Sequence, residues 1–333
     1  MKAFIKNNLM FVISMAVLLI LLILGTFLDF QISQGLVDLN AGSYYTKNLF
    51  GIIFEIIGEM PIYLVTSFAV ALIFHNFKRR DKNLTNIIIQ IVSVIISVGL
   101  LFYMNYKLFK YLSIHLDFAD LLGGNWDKLA YLLLGAGMTF LLFFFTQRIP
   151  SSFLNKMLFW AIIVCLTAAF SQVVTHLLKS IAARPRYRAM FLMEEFGEYR
   201  KWFQFQWGIP EISEDLKLLY DAGADWYKSF PSGHTSAAAM VLTLTLIPSI
   251  FAKTNTLLRK IITYTVVVLY ILAVMFSRIL VGAHFLTDVT FGAMITVSSF
   301  ALARYLVKKL MPKIKFPDLI ERSKPCLIEE GIN

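Results

Sequence analysis

The chain carries near its start an uncharged apolar run, which reads LMFVISMAVLLILLILGTFL at residues 9–28. A helix of roughly 20 apolar residues crosses the hydrocarbon core of a bilayer, so this run predicts a membrane-spanning helix. It is too long for the apolar part of a signal peptide and no small-residue cleavage site accompanies it, so we expect it to be retained. Further apolar runs occur at about residues 51–76, 85–106, 130–146, 157–178, 233–251, 261–276 and 285–303. The sequence therefore predicts an all-α, polytopic transmembrane helical bundle of about eight spans.

The composition favours the same fold class. Of the 333 residues, 58% are hydrophobic and 16% are charged, whereas soluble domains average about 45–50% and 25%. Too few charges remain to cover a soluble globule, and a mean hydropathy of +0.69 excludes a disordered chain. Two cysteines, Cys165 and Cys326, provide neither a disulfide framework nor a metal cluster.

The distribution of charge predicts the orientation of the bundle. Alternate loops, beginning with residues 1–8, carry a net charge of +13, and the intervening loops carry 0. Positively charged loops stay in the cytoplasm, so we expect cytoplasmic termini and outward-facing segments 179–232 and 277–284. The excess of 31 Lys and Arg over 21 Asp and Glu is then a topology signal and not a nucleic-acid footprint.

The long outer segment 179–232 is rich in aromatic residues among balanced charges. Aromatic side chains prefer the membrane–water interface, so the segment is predicted to lie on the outer leaflet. Both a structural aromatic belt and direct substrate contact are consistent with this composition.

Three short segments at the outer ends of predicted spans carry most of the functional information. They are KSIAARPR at 179–186, PSGH at 231–234, and Ser277-Arg278 followed by His284 and Asp288. Ser232 and Gly233 open a helix after a proline, where free backbone N–H groups and the helix dipole favour an anion.

The spacing of the third segment indicates nucleophilic chemistry. His284 and Asp288 are four residues apart at the start of a helix and therefore share a face. The carboxylate can then accept one ring N–H, which leaves the other nitrogen free to attack. Arg278 offers a planar fork of donors that matches phosphate oxygens. His234 is placed to donate a proton to a leaving oxygen.

The first segment supplies fixed positive charge. Lys179 and Arg186 are seven residues apart and lie on one helical face, whereas Arg184 points about 140° away from Lys179. Together with Arg278, these side chains predict a pocket for a phosphoryl group, whose transfer depends mainly on positioning and charge stabilisation.

These segments resemble the signature of the type-2 phosphatidic acid phosphatase (lipid phosphate phosphatase) superfamily, which reads Lys-x6-Arg-Pro, Pro-Ser-Gly-His and Ser-Arg-x5-His-x3-Asp. The second and third parts match in full. In the first part, Arg186 has the family's spacing from Lys179, but Tyr187 follows it in place of proline, and Arg184-Pro185 has the wrong spacing. The resemblance covers about residues 155–305. Because the family core has six spans, eight spans imply an extra pair near the N-terminus.

The resemblance implies a role for each residue. His284 would be the nucleophile that forms a phosphohistidine, Asp288 would orient it, and His234 would protonate the departing alcohol. The phosphate would be held by Lys179, Arg186, Ser232, Gly233 and Arg278. Water then releases phosphate, and neither a metal nor another cofactor is expected. We divide the chain into N-terminal spans at 1–150, a phosphatase core at 151–307 that contains the outer loop, and a cytoplasmic tail at 308–333.

The leading interpretation is a membrane phosphatase that acts on phosphatidate, phosphatidylglycerophosphate or an isoprenyl diphosphate. A lipid phosphotransferase that uses the same histidine is an alternative, as is a non-catalytic lipid-binding or carrier protein, although the intact His234, His284 and Asp288 argue against the latter. Vanadate-dependent haloperoxidases share this pocket but are soluble. We expect a membrane lipid as substrate, no nucleic acid and no obligatory protein partner. The expected location is a bacterial inner membrane, with the active site on the extracytoplasmic side.

Four further charged residues each have two readings. Arg184 and Arg188 either contact a second phosphate or anchor lipid headgroups. Glu55 and Glu59 lie in an apolar run, where acidic residues are functional candidates. They also lie near the outer end of that run, where water is expected to reach them.

Three histidines outside the signature and one proline complete the candidates. His176 either extends the site or has a structural role, and His75 and His115, at loop edges, are expected to be structural. Pro61 leaves residues 51–76 as either one span or a short interfacial helix followed by a span from about residue 61.

Overall fold

A computed structural model describes residues 9–39, 44–116, 125–220, 223–251 and 255–311, and no β-strand occurs among them. The α-helices in chain order are α1 (Leu9–Leu36), α2 (Leu49–Ile57), α3 (Met60–Lys78), α4 (Leu84–Leu116), α5 (Asn125–Thr146), α6 (Ser151–Ala182), α7 (Tyr187–Met193), α8 (Glu214–Tyr220), α9 (Gly233–Ala238), α10 (Ile247–Ile250), α11 (Leu257–Leu280) and α12 (Leu286–Leu310). Short 3₁₀ segments lie at Phe196–Glu198, Ala224–Tyr227 and Ala239–Leu246.

Eight helical segments in the described part of the chain are long and apolar enough to cross a membrane. One of them, Gly233–Ile250, is made of α9, a 3₁₀ segment and α10 in succession. The predicted all-α polytopic bundle is therefore confirmed, and the protein is an integral membrane protein. Helix α12 runs to Leu310, into the predicted tail at 308–333. Residues 312–333 of that tail, which include Cys326, lie outside the described residues.

The second predicted span consists of two helices. Helix α2 ends at Ile57, a turn follows at Gly58 and Glu59, and α3 begins at Met60. Pro61 lies in the first turn of α3, where a missing backbone N–H costs no helical hydrogen bond. The structure therefore favours a short helix followed by a separate one, and the turn brings Glu59 to the candidate site.

Helix α12 is central to the bundle. It packs against α1, α6 and α9. Helix α6 also contacts α3. Helix α4 contacts both α3 and α5. In the segment Gly233–Ile250, 83% of the apolar window is buried, compared with 17% in α1 and α5. The peripheral helices therefore present their apolar side chains to lipid, and the central ones hold the site.

Gly292 allows α12 to approach the start of α9. A Cβ atom at this position would lie 2.5 Å from the carbonyl oxygen of Ser232, which is closer than side chains tolerate. The backbone N–H of Ser232 donates to the carbonyl oxygen of Asp288 at 3.0 Å. The second and third signature segments are therefore held together through their backbones.

Several aromatic residues of the segment 179–232 pack against the helices. Phe230 contacts Phe291 of α12 with ring centroids 4.9 Å apart, and Trp202 contacts the same ring at 5.7 Å. The Nε1–H of Trp202 donates to Oγ1 of Thr26 in α1 at 2.9 Å. Trp207, in contrast, is 77% exposed. For Phe230 and Trp202, these contacts favour the structural reading of the aromatic composition.

Candidate active site

A cavity of about 280 Å³ brings the three signature segments together. Six of the eight predicted catalytic and phosphate-binding residues line it, namely Lys179, Arg186, Gly233, His234, Arg278 and His284. The other two, Ser232 and Asp288, lie behind the wall, where both are fully buried. The wall also contains residues of α2, α3 and α4, which lie outside the signature segments.

Ser232 serves the fold of the second segment. Its Oγ caps α9 by accepting hydrogen bonds from the backbone N–H of Thr235 at 3.3 Å and from Oγ1 of Thr235 at 3.1 Å. Its own N–H is used by Asp288. The amide predicted to hold phosphate is therefore already engaged, and the hydroxyl oxygen is used as an acceptor. Gly233 presents this segment to the cavity.

His284 lies in the short connection between α11 and α12 and is 1% exposed. Its Nδ1 is 2.6 Å from the carbonyl oxygen of Ser229. A carbonyl oxygen accepts only, so Nδ1 carries the ring proton and Nε2 carries the lone pair. Burial lowers the pKa of His284 well below its ordinary value, and the cations Arg186 and Lys179 act in the same direction. The ring is thus neutral and suited to nucleophilic attack.

The expected hydrogen bond between His284 and Asp288 is not formed, since Nδ1 and Oδ2 are 4.0 Å apart. The reason is local: α12 begins at Leu286, so His284 precedes the helix and the helical i,i+4 relation does not apply. Oδ2 of Asp288 instead accepts from Oγ of Ser229 at 2.5 Å and from the N–H of Phe285 at 2.8 Å. Asp288 therefore holds Ser229, which in turn holds His284.

Arg184 lies behind the cavity and does not line it. Its Nη1 donates to Oδ1 of Asp288 at 2.6 Å, its Nη2 to Oδ2 of Asp29 at 3.1 Å, and its Nε to the carbonyl oxygen of Arg200 at 2.7 Å. These bonds occupy all three nitrogens of the guanidinium group. The geometry gives no support to a phosphate contact for Arg184, and it places Arg186 in the wall instead.

Lys179 and Arg186 both line the cavity, but the predicted reason was wrong. Helix α6 ends at Ala182, and Ala183 has a left-handed φ of 44°, so the two side chains do not share one helical face. Nζ of Lys179 donates to the carbonyl oxygen of Lys228 at 2.8 Å. The chain reversal after α6, rather than helical periodicity, brings Arg186 back to the site.

Glu55 holds two buried arginines. Its Oε1 is 2.9 Å from Nη2 of Arg278 and 3.6 Å from Nη1 of Arg188, and its Oε2 is 3.0 Å from Nε2 of His115. Within the described structure, Nε and Nη1 of both arginines have no hydrogen-bond partner although they are buried. Such donors are rare in proteins, and both arginines line the cavity, so they are cations of the wall that have unused hydrogen-bonding capacity.

His234 is buried in the first turn of α9, and both of its ring nitrogens face oxygen atoms. Nδ1 is 3.0 Å from Oε1 of Glu59, and Nε2 is 3.2 Å from the carbonyl oxygen of Glu55. Glu59 also contacts Nζ of Lys107 at 3.5 Å and accepts from the hydroxyl of Tyr63 at 3.4 Å. Glu55 and Glu59 are 1% and 8% exposed, and both line the cavity.

The remaining histidines have different surroundings. His75 is buried, and its Nε2 is 3.0 Å from the carbonyl oxygen of Phe143, a contact outside the cavity wall. His115 lies in the last turn of α4, at the edge of the following connection as expected, and its side chain is buried against Glu55. His176 is exposed and lines the cavity at its margin.

Two residues that hold the site were missed in the sequence. Ser229 links Asp288 to His284, and it lies only two residues before the Pro-Ser-Gly-His segment. Asp29 is 1% exposed and accepts from the backbone N–H and, through a short contact, the hydroxyl of Thr287. The available signal for Asp29 was a carboxylate at the end of an apolar run, but the predicted span ended at residue 28 and Asp29 was therefore placed in the loop that follows.

The charge of the wall favours an anionic ligand. Seven cationic residues and three carboxylates line the cavity: Lys107, Lys110, Lys179, Arg186, Arg188, Lys228 and Arg278 against Glu55, Glu59 and Asp225. Among the described residues, no group of three or more His, Cys, Asp or Glu side chains is arranged to hold a metal ion.

Fold and site together define a helical integral membrane protein with a cationic cavity that contains two histidines. A family model described as the PAP2 superfamily matches residues 160–312. The segment 160–312 is similar to this superfamily, and the similarity indicates phosphatase-type activity on phosphate esters. No curated protein and no solved structure shows a significant match to the chain.

Proposed function

We propose that the protein hydrolyses the terminal phosphate of a lipid phosphate or diphosphate monoester through a phosphohistidine intermediate. The observation that carries the proposal is the convergence of His284 and His234 on one cavity with Lys179, Arg186 and Arg278. Cations fixed around a neutral imidazole stabilise the charge of a phosphoryl group as it is transferred.

The proposed reaction has two steps. Nε2 of His284 forms a bond to phosphorus while the bond to the lipid oxygen breaks, and His234 gives its Nε2 proton to that oxygen. In the second step His234 takes a proton from water, the resulting hydroxide attacks the phosphohistidine, and phosphate leaves. Free donors of Arg278 and Arg188 supply hydrogen bonds to phosphoryl oxygens in both steps.

Release of inorganic phosphate in detergent tests the proposal. We expect release from phosphatidate, phosphatidylglycerophosphate or an isoprenyl diphosphate without an acceptor lipid. It should persist in EDTA, because Lys179, Arg186 and Arg278 meet the oxyanion charge, and vanadate should inhibit as a mimic of the pentavalent transition state. Turnover that disappears in EDTA and returns with magnesium would contradict the mechanism. Transfer seen only when a second lipid is added would identify a phosphotransferase.

We further propose that the site faces the extracytoplasmic side of a bacterial cell membrane, from the difference in loop charge. In a variant without Cys165 and Cys326, cysteine introduced at Leu218, which is 82% exposed, should react with an impermeant thiol reagent in intact cells. Cysteine at the exposed Asp81, in a positive loop, is the matched control and should react only after lysis. The reverse labelling pattern would invert the topology.

A further inference from the structure

We propose that Glu59 is a positioning residue that keeps His234 in its proton-donating form, an inference that rests on the proposed function. Glu59 lies in the turn between α2 and α3, outside the segment 160–312 that matches the family model. The N-terminal helices would therefore take part in the chemistry of the site as well as in the bundle.

Hydrogen-bond accounting at His234 carries the argument. Oε1 of Glu59 lies 3.0 Å from Nδ1, and the carbonyl oxygen of Glu55 lies 3.2 Å from Nε2. The first contact is an ion pair and the second a hydrogen bond, and each oxygen is best satisfied when the ring nitrogen beside it carries a proton. The Glu59 carboxylate therefore favours the imidazolium against the opposing effects of burial and of the cations Arg278 and Lys107. The imidazolium is the form that a general acid needs before the leaving group departs.

The carboxylate of Glu59 supplies the counter-charge for that imidazolium. The other charged groups around His234 are Glu55 on α2, Lys107 on α4 and Arg278 on α11. Glu55 is already paired with Arg278 at 2.9 Å, and Lys107 is 3.5 Å from the second oxygen of Glu59. Glu59 is thus the carboxylate in direct contact with the ring, with one oxygen on His234 and the other on Lys107.

The proton transfer follows from the two contacts. The Nε2–H of His234 donates to the carbonyl oxygen of Glu55 at the long distance of 3.2 Å. When a substrate enters, this N–H donates to the leaving oxygen instead. The Nε2 proton moves to that oxygen, and Nδ1–H remains on Glu59. The neutral ring then accepts a proton at Nε2 from water in the second step, which restores the starting state.

The experiment compares Glu59→Gln with the wild type on a lipid monophosphate and on p-nitrophenyl phosphate. Glutamine keeps the shape and the hydrogen-bond acceptor but removes the charge. We expect turnover of the lipid ester to fall about 10- to 100-fold, the loss typical of carboxylates that orient metal-bound imidazoles. Turnover of the nitrophenyl ester should stay within about 3-fold of the wild type, because nitrophenolate leaves without a proton. KM for the lipid should not change.

Glu198→Gln is the matched control. Glu198 accepts from the hydroxyl of Tyr227 at 3.3 Å and does not line the cavity, so both activities should be retained. If Glu59→Gln fails to fold, Glu59→Asp provides the test. Withdrawing the carboxylate by one methylene should lower turnover of the lipid ester more than turnover of the nitrophenyl ester, by a smaller factor than in Glu59→Gln.

The possible outcomes separate this inference from the proposed function. A wild type that releases no phosphate from any ester refutes the proposed function itself. A wild type that is active, with a Glu59→Gln variant slowed equally on both esters, refutes the role of Glu59 and leaves the phosphatase intact. A split between the two esters supports both.

Discussion

His284→Ala should abolish the covalent phosphoenzyme and lower turnover by several orders of magnitude on every substrate. The expectation follows from the hydrogen bond between Nδ1 and the carbonyl of Ser229 at 2.6 Å, which leaves the lone pair on Nε2. Nucleophilic catalysis has no substitute when the attacking atom is removed. The measurement is acid-quench trapping of phosphohistidine from a labelled substrate, together with turnover.

His234→Ala provides the comparison, because it removes the proposed proton donor and leaves the nucleophile in place. General acid catalysis typically contributes roughly 10²- to 10⁴-fold, and the loss should be largest with a lipid alkoxide as leaving group. With a nitrophenyl ester the loss should be small, and phosphohistidine should still form. Diphosphates should fall between these limits, since their leaving phosphate is less basic than an alkoxide. Trapping that survives in His284→Ala but disappears in His234→Ala would show that the two roles are reversed.

Arg184→Met should lower the free energy of unfolding by roughly 3–5 kcal/mol, the usual cost of leaving buried charges without their partner. Arg184 lies between Asp29 and Asp288, at 3.1 and 2.6 Å, and all three side chains are no more than 1% exposed. Two buried carboxylates would face each other in the variant. Activity should fall with stability, because Asp288 holds Ser229 and, through it, His284. Thermal unfolding in detergent and phosphate release measure the two effects.

Arg186→Met is the matched control from the same segment. Arg186 pairs with Asp225, whose side chain is 65% exposed, so this variant should weaken vanadate binding with a much smaller loss of stability. Asp29→Asn added to Arg184→Met should recover part of the lost stability, since it removes one of the two uncompensated carboxylates. A fully stable Arg184→Met protein with weakened vanadate binding would instead assign Arg184 to the phosphate.

The division of the chain at residue 150 also has a consequence for function. The proposed N-terminal unit, 1–150, supplies Glu55, Glu59 and Lys107 to the cavity wall, and Asp29 to the network behind it. A fragment restricted to the proposed core, 151–307, would lack these groups. The boundary therefore separates signature from non-signature sequence, but it does not separate the site from the rest of the bundle.

The number of spans and the signature residues were accessible from sequence because both are local properties. The length of an uncharged run decides whether a helix can cross hydrocarbon, and only five residues separate Arg278, in the last turn of α11, from His284. Local spacing failed where the backbone left the helix. Helix α6 ends at Ala182, so helical periodicity does not relate Lys179 to Arg186. Helix α12 begins only at Leu286, so the expected hydrogen bond between His284 and Asp288 does not form.

The partners of the buried charges were decided by tertiary structure alone. Arg184 meets Asp29 across 155 positions of the chain, and Arg278 meets Glu55 across 223. A charge buried in a bundle must be paired there, and the sequence shows which residues need a partner without showing which ones meet. That choice depends on how α1 packs against α12 and how α2 packs against α11, because ion pairs form over a few ångströms and the helices that carry them are brought together only in the folded bundle.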